Sequence, residues 1–384
     1  MSGPRLAYLC SDPGIPLRAH KGASVHFREF GQALVQAGAQ VHAFVAKLGD
    51  APVGEDLRAE VVAPPKDQGL LRELGLLRAS HAMATAIAAR GRFDAVYERL
   101  SLFGVAGLAY AQGAGVPLLV EVNAPLWDEA ARFRDLALAR TARAVCLDVL
   151  SRADAVLCVS QALAATLARE GVAERKLVVQ RNGVNGALFA AAQPAQRPAT
   201  LVGKSVLTFI GSLKPWHGVE FLLEAFARLR ERSQRQVALW VVGDGPLGEQ
   251  VAAAAQRWPG EVVLHGAVPH HEIPSILLAS DVALAPYPAD APDYFCPLKV
   301  VEALAGSCPL VASRVPCVTD VVGARDGVEL FAPGDHDDFG TAVERSLARG
   351  KPARYVAAEW TWAASAQRVL DLLADLRRPT EVRA

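Results

Sequence analysis

The chain has 384 residues, enough for about two domains with a core each. Its 40 basic and 40 acidic residues cancel, which argues against a nucleic-acid binder, a class that normally shows a basic excess. No signal peptide precedes the first strand, no apolar run approaches the roughly 18 residues of a membrane span, and the cysteines (Cys10, Cys146, Cys158, Cys296, Cys308, Cys317) form no Cys-x-x-Cys pair, so a cytoplasmic protein with reduced thiols and no disulfide or zinc framework is expected.

Short apolar runs rich in Val and Leu alternate with helical patterns, which means parallel sheets covered on both faces. The first run, "RLAYLC", leads into "SDPGIPLRAHKGASVHFREFGQAL", where Gly22 ends a loop and a helix begins near Ala23 or Ser24. Its N–H groups are placed as in a phosphate-binding turn, and a plain tight turn is the competing reading. After "QVHAFVA" comes the amphipathic segment "GLLRELGLLRASHAMATAIAARGRF" with Arg72, Arg78, Arg90 and Arg92. Core packing outweighs peripheral membrane contact there, because the stripe lacks a lysine and aromatic band. "DAVYERL" and "PLLVEVN" follow, the second carrying Glu121 and Asn123, and then "AVLCVS" and "LVVQRNG". Glu121 can serve the chemistry or brace a neighbouring loop residue such as Arg99. "AAAQPAQRPAT" is low in large apolar residues and holds two prolines, the mark of a linker.

"VLTFIGS" opens the second half as the first strand opened the chain, and "LKPWHGVEFLLEAFARL" follows it. Ser212, Lys214 and His217 thus precede a helix, with Lys214 a mobile cation at its positive end. "VALWVVG" runs into the tight turn "VVGDGP" at Gly243, and no full Gly-x-Gly-x-x-Gly fingerprint follows the first strand, which lowers a dehydrogenase reading. "VVLHGAV" carries His265; the His270–His271 pair beyond it lies in a polar loop and reads as solvated, so no metal site is expected. After "VALAPY" comes "DYFCPLKVVEALAG", where Pro297 suits a first helical turn because its missing N–H would have had no partner. Leu298 and Lys299 then offer free backbone N–H groups to an anion, and Glu302 falls about one and a half turns in. "CPLVAS", "VELFAP" and a helix "WTWAASAQRVLDLLADL" complete the chain; the two tryptophans of that helix need a surface, on the second domain or back on the first. The fold expected is α/β, two Rossmann-like domains facing across a cleft with ligands at the C-terminal strand ends.

The run from "FIGSLKPWHGVEFLLEAFARL" through "VVGDGP", "GAVPHHEIPSILLASDVALAPY" and "DYFCPLKVVEALAGSCPLVAS" resembles the C-terminal domain of glycosyltransferase family 4, retaining sugar transferases of the GT-B fold. "KGASVHFREFGQALVQAGAQV", "VSQALAATLAREGV" and "VVQRNGVN" extend the resemblance over nearly the whole chain, and its strongest part is Phe209 to Ser313. It implies an acceptor-binding domain over 1–188, a linker over 189–202, a nucleotide-sugar domain over 203–358 and a terminal helix over 359–384. The donor would be a nucleoside-diphosphate sugar, the acceptor a small molecule, glycan or lipid-linked sugar, with no resident cofactor and no nucleic-acid partner.

By the same resemblance Glu302 matches the second glutamate of the family's pair, the one that takes hydrogen bonds from the ribose, with the diphosphate at Leu298 and Lys299. Tyr294 stands where the first glutamate would be, with Asp293 beside it. Ser212 and His217 stand where relatives carry Arg and Lys, so Lys214 and Lys299 are left to carry the diphosphate charge. Gly22 and Gly243 shape the donor turns, and backbone around His265 reads uracil or guanine, with uracil favoured by family frequency. The reaction implied is metal-independent same-face attack in which the donor phosphate accepts the acceptor's proton, with Glu121 and Asn123 orienting sugar or acceptor. A GT-B sugar-nucleotide epimerase and a catalytically silent sugar-nucleotide-binding subunit are the rival readings; turnover of a labelled donor separates the silent subunit from an enzyme.

Overall fold

A computed structural model of the chain describes residues 3–51, 57–133, 136–351 and 360–377, without the side chains of 132 and 133. The chain divides into two units, Met1–Gly183 with Thr361–Ala384, and Val184–Trp360. In the first, strands β1 (Arg5–Cys10), β2 (Gln40–Val45), β3 (Ala59–Val61), β4 (Ala95–Arg99), β5 (Leu118–Val122), β6 (Ala155–Cys158) and β7 (Leu177–Val179) form one sheet in the order β3-β2-β1-β4-β5-β6-β7. In the second, β8 (Ser205–Ile210), β9 (Val237–Val242), β10 (Val262–Gly266), β11 (Val282–Ala285), β12 (Leu310–Ser313) and β13 (Val328–Phe331) run β10-β9-β8-β11-β12-β13. Every pairing is parallel. Both sheets reverse strand order beside their first strand, and ligands of such sheets sit at the carboxyl ends of the strands at that reversal. In the first unit this is where β1 meets β4, and in the second where β8 meets β11.

The continuous apolar strands follow from helices lying on both faces. All residues of β4, β5, β6 and β9 are buried. On β8 the side chains alternate, Leu207 and Phe209 packing with Leu222 and Phe226, while Val206 packs with Trp240 and Ile276 on the other face. This two-residue period sends alternate positions of one strand into two separate cores.

The segment read as a linker lies within the second unit. Arg197 bonds the carbonyls of Ala279 and Lys204 and the carboxylate of Asp281, and Ala195 N–H bonds Ser275 O. The unit division accordingly falls between Gly183 and Val184. Helix Trp362–Leu376 belongs to the first unit, against helix Gly22–Gln36, where the Trp362 ring lies 4.6 Å from His26 and 6.1 Å from Phe30. Helix Gly69–Ala89 buries Met83 and Ile87 but leaves Leu70 and Leu71 exposed. No helix among the described residues is long and apolar enough to cross a membrane.

Candidate active site

At the reversal point of the second unit, β8 ends at Ile210 and the chain turns through Gly211–Gly218 into helix Val219–Arg232, with a 3-10 turn over Pro215–His217. Gly218 has φ 72°, and a Cβ there would lie 1.6 Å from Pro286 O, so only glycine lets this turn close onto the exit of β11. Gly243 meets the same turn from β9: its Cβ would fall 1.9 Å from Gly211 O. These packed backbones leave three nitrogen-bearing side chains around one spot.

Lys214 rests its ammonium 4.7 Å over the half-exposed ring of Trp216. His217 donates from Nδ1 to Ser212 O at 2.7 Å, since a carbonyl only accepts, which leaves the Nε2 lone pair open. Burial first, then Lys299 and Lys214, push the imidazole down to about 3, so it is neutral. Ser212 is exposed, and its backbone carbonyl is the atom it contributes to this turn.

Lys299 comes from helix Leu298–Ala305, whose N-cap is Pro297. Its Nζ lies 4.0 Å from the Phe209 ring centre and 5.2 Å from that of Tyr287, shut off from solvent and without a hydrogen-bond partner. Burial pushes the amine down to about 7, with Glu302 the opposing influence. Gly211 lies beneath it with φ 141°, and a Cβ there would sit 3.2 Å from Nζ. A buried base of this kind costs stability as pH falls from its ordinary 10.5 towards 7, since the folded chain then holds fewer protons than the unfolded one. Lys299→Met is therefore expected to stabilise the free protein by about 1–4 kcal/mol near pH 7 and less towards pH 10, checked by denaturant titration at both.

Glu302 is 6% exposed and accepts from His270 Nε2 at 2.7 Å. This corrects the solvated reading of the histidine pair: His271 is exposed, but the His270 side chain is 15% exposed and fixes one carboxylate oxygen. The available signal was position, since both residues follow β10 at a strand end. His265, exposed on β10, accepts from Trp240 Nε1 at 3.3 Å through Nδ1, leaving its Nε2 to carry the proton. By position, the N–H groups of Leu298 and Lys299 lie in the first helical turn, outside the helix's own bonding.

In the first unit the arrangement at the strand ends is a closed ionic network. Glu121 on β5 is 4% exposed. Its Oε2 accepts from Tyr97 OH at 2.8 Å and lies 3.0 Å from His26 Nε2, and its Oε1 accepts from Arg99 at 2.8 Å and from the Asn123 amide. Burial alone would push this carboxyl up, but His26, Arg99 and Asn123 outweigh it and hold the group well below its ordinary value. Both oxygens are thus spent inside the protein. Glu121 thus braces Arg99, Asn123, Tyr97 and His26. Tyr97 and Arg99 share one face of β4, and Arg99 stands in register with Glu121 on β5, a pairing that strand alternation alone could have flagged. His26, the fifth residue of the helix that Gly22 opens, was missed because helix periodicity gives it no special place. The loop before that helix is tied down by Arg28, which donates to Leu17 O and Ala19 O. Among the described residues no three His, Cys, Asp or Glu side chains gather as a cation site.

Residues 20–187 match the family model described as Glycosyltransferase Family 4, and residues 204–349 the one described as Glycosyl transferases group 1. The MMP alpha-(1->4)-mannosyltransferase of Mycolicibacterium hassiacum is 29% identical over 287 residues, 71% of this chain and 65% of that protein. The chain spans less than two thirds of the length of the curated relatives it matches. Among solved structures, sucrose-phosphate synthase from Thermosynechococcus elongatus superposes with TM-score 0.72 at 21% identity, covering 97% of this chain and 99% of that one. Anabaena HepE in complex with UDP-glucose gives TM-score 0.65 at 18% identity, covering 97% of this chain and 100% of that one. Two glycosyltransferase family models match in this order along the chain, and its two Rossmann-like units have the GT-B fold.

Proposed function

We propose that the protein is a retaining glycosyltransferase that moves a sugar from a nucleoside-diphosphate donor, UDP-linked, to a small-molecule, glycan or lipid-linked acceptor. The observation that carries this reading is the enclosed, unpartnered nitrogen of Lys299 beside the β8 turn, with Glu302 one helical turn further on. Lys299, Lys214 and the first-turn N–H groups offer a diphosphate both charge and hydrogen-bond donors. Glu302, with one oxygen held by His270, keeps the other for a ribose hydroxyl. HepE, a fold neighbour, is solved with UDP-glucose, which supports a sugar nucleotide as donor.

In the reaction proposed, the bond from the anomeric carbon to the diphosphate oxygen breaks with its electron pair going to that oxygen. The acceptor oxygen bonds to the same face of the sugar, and its proton passes to the departing diphosphate. The protein's cations offset the charge that collects on the leaving group. Arg99 and Asn123, held by Glu121, are the first unit's polar groups proposed for the acceptor. The test is transfer from labelled UDP-sugars to an acceptor panel, with NMR of the product's anomeric carbon. Unchanged anomeric configuration and full turnover in excess EDTA are expected; inversion, or turnover that EDTA abolishes and magnesium restores, overturns the mechanism.

Glu302→Ala removes a charge-assisted partner of the ribose and is expected to weaken binding of the nucleoside diphosphate by about 1.5–3 kcal/mol with the fold intact. Calorimetric titration decides it, and unchanged affinity takes Glu302 out of the site. A silent binding subunit is favoured by one observation, the neutral His217 where relatives carry a lysine. A single turnover of labelled donor excludes it.

A further inference from the structure

We infer that the phosphate site of the second unit takes up a proton together with its ligand: Lys299 is a free amine in the free protein and becomes an ammonium when a nucleoside diphosphate binds. The inference rests on the donor site proposed above and adds to it a protonation step.

The geometry around Lys299 Nζ does not suit a permanent cation. An ammonium brings three N–H donors, and here none finds an acceptor. The Phe209 and Tyr287 rings face Nζ at 4.0 and 5.2 Å, which helps a cation but does not replace hydrogen bonds. Glu302, on the same helix, raises the amine only in part, and its Oε1 is committed to His270. From the β8 turn come Lys214 and His217, from the exit of β11 the phenol of Tyr287, and nearby stand the buried thiols of Cys296 and Cys317. The thiol of Cys317 is pushed up to about 12 and the Tyr287 phenol well above its ordinary value, both mainly by burial, so neither adds charge near neutral pH. The buried amine therefore has one carboxylate near it, itself committed to His270, and burial pushes the amine down to about 7.

A diphosphate reverses each of these influences. It brings two or more negative charges and several acceptor oxygens to a nitrogen that has neither, which favours the charged form. The proton comes from the buffer and joins the lone pair of Nζ. His217 is a poor alternative recipient: it would have to rise from about 3, held down by burial and by Lys299 and Lys214 against the opposing pull of the Ser212 carbonyl. The enzyme thus meets the chemical step with a full ammonium at the leaving group, while the free protein above pH 8 holds the same nitrogen as a neutral amine.

Isothermal titration of the full chain with UDP at pH 8, in HEPES and in Tris, tests this, because the ionisation enthalpies of the two buffers differ and the phosphates of UDP have lost their own protons by then. Uptake of about nine-tenths of a proton per UDP is expected, with Kd rising roughly tenfold between pH 8 and pH 9. Lys299→Arg, always charged, should abolish the uptake, and His217→Asn should keep it. If UDP binds with equal enthalpy in both buffers, the inference falls while the donor site stands. Loss of uptake in His217→Asn alone would move the proton to His217 and overturn the assignment. If neither UDP, GDP nor ADP binds, donor site and inference fall together. The wild-type titration is decisive by itself should Lys299→Arg not fold.

Discussion

Lys299→Ala is expected to lower kcat by roughly 10²–10³, the loss seen when one preorganised charge-stabilising donor is removed, while donor affinity falls by about tenfold. The argument is differential. In the bound donor the diphosphate already carries negative charge that Lys299 attracts, and as the anomeric bond breaks further charge collects on the leaving oxygen. Only the part of the attraction that grows on the way to the transition state enters kcat. For a cation shut away from solvent between the Phe209 and Tyr287 rings that growth is large, because little water screens it. Lys214 is placed differently: its ammonium lies on the exposed Trp216 ring, where water screens it. Lys214→Ala is therefore expected to raise donor KM more than it lowers kcat. Pre-steady-state kinetics at saturating donor separate the two. A Lys299→Ala enzyme with normal kcat and only a raised donor KM would make Lys299 a binding residue and shift leaving-group stabilisation to the turn around Ser212 and His217.

Glu121→Ala is expected to destabilise the first unit by about 3–5 kcal/mol, the range for breaking a buried charged pair by removing one partner. Arg99, with a side chain 9% exposed, would be left as an uncompensated buried charge, and Tyr97 and Asn123 would lose their acceptor. Set against a typical total of about 5–15 kcal/mol, such a loss leaves the unit close to unfolding. Glu121→Gln keeps a carbonyl acceptor but turns N–H groups towards donors, so a smaller loss is expected. Because the folded-state carboxyl is held below its ordinary 4.5, its contribution is fully present above that pH and is lost as the pH falls below it. Acid should therefore cost the wild type more stability than Glu121→Gln between pH 5 and 3. Urea titrations at pH 7 and across the acid range read both effects. A Glu121→Ala midpoint within about 0.5 kcal/mol of wild type would show that the network does not hold the strand ends together.

The covered parallel sheets, the two strand-to-helix turns and the helix opened by Pro297 were legible in the sequence, because each is set by local rules: a two-residue period in strands, glycine where backbone closes on backbone, and proline where no N–H is needed. Lys299 and Glu302 belong to that local pattern, and a resemblance in motif was enough to single them out. Their surroundings were decided only in three dimensions. The order β10-β9-β8-β11 carries His270 to Glu302 across 32 positions of chain, and the same order closes Phe209 and Tyr287 over the Lys299 nitrogen. Glu121 looked open to catalysis in its own strand, and four donors from His26, Tyr97, Arg99 and Asn123 close around it only when β4, β5 and helix Gly22–Gln36 come together. The terminal helix had two surfaces to choose from, and Trp362 settles against His26 and Phe30 of the first unit. Which groups can act in a strand is thus written in local chemistry, whereas which of them remain available depends on long-range contacts that satisfy some polar atoms and leave others, such as Lys299 Nζ, without a partner.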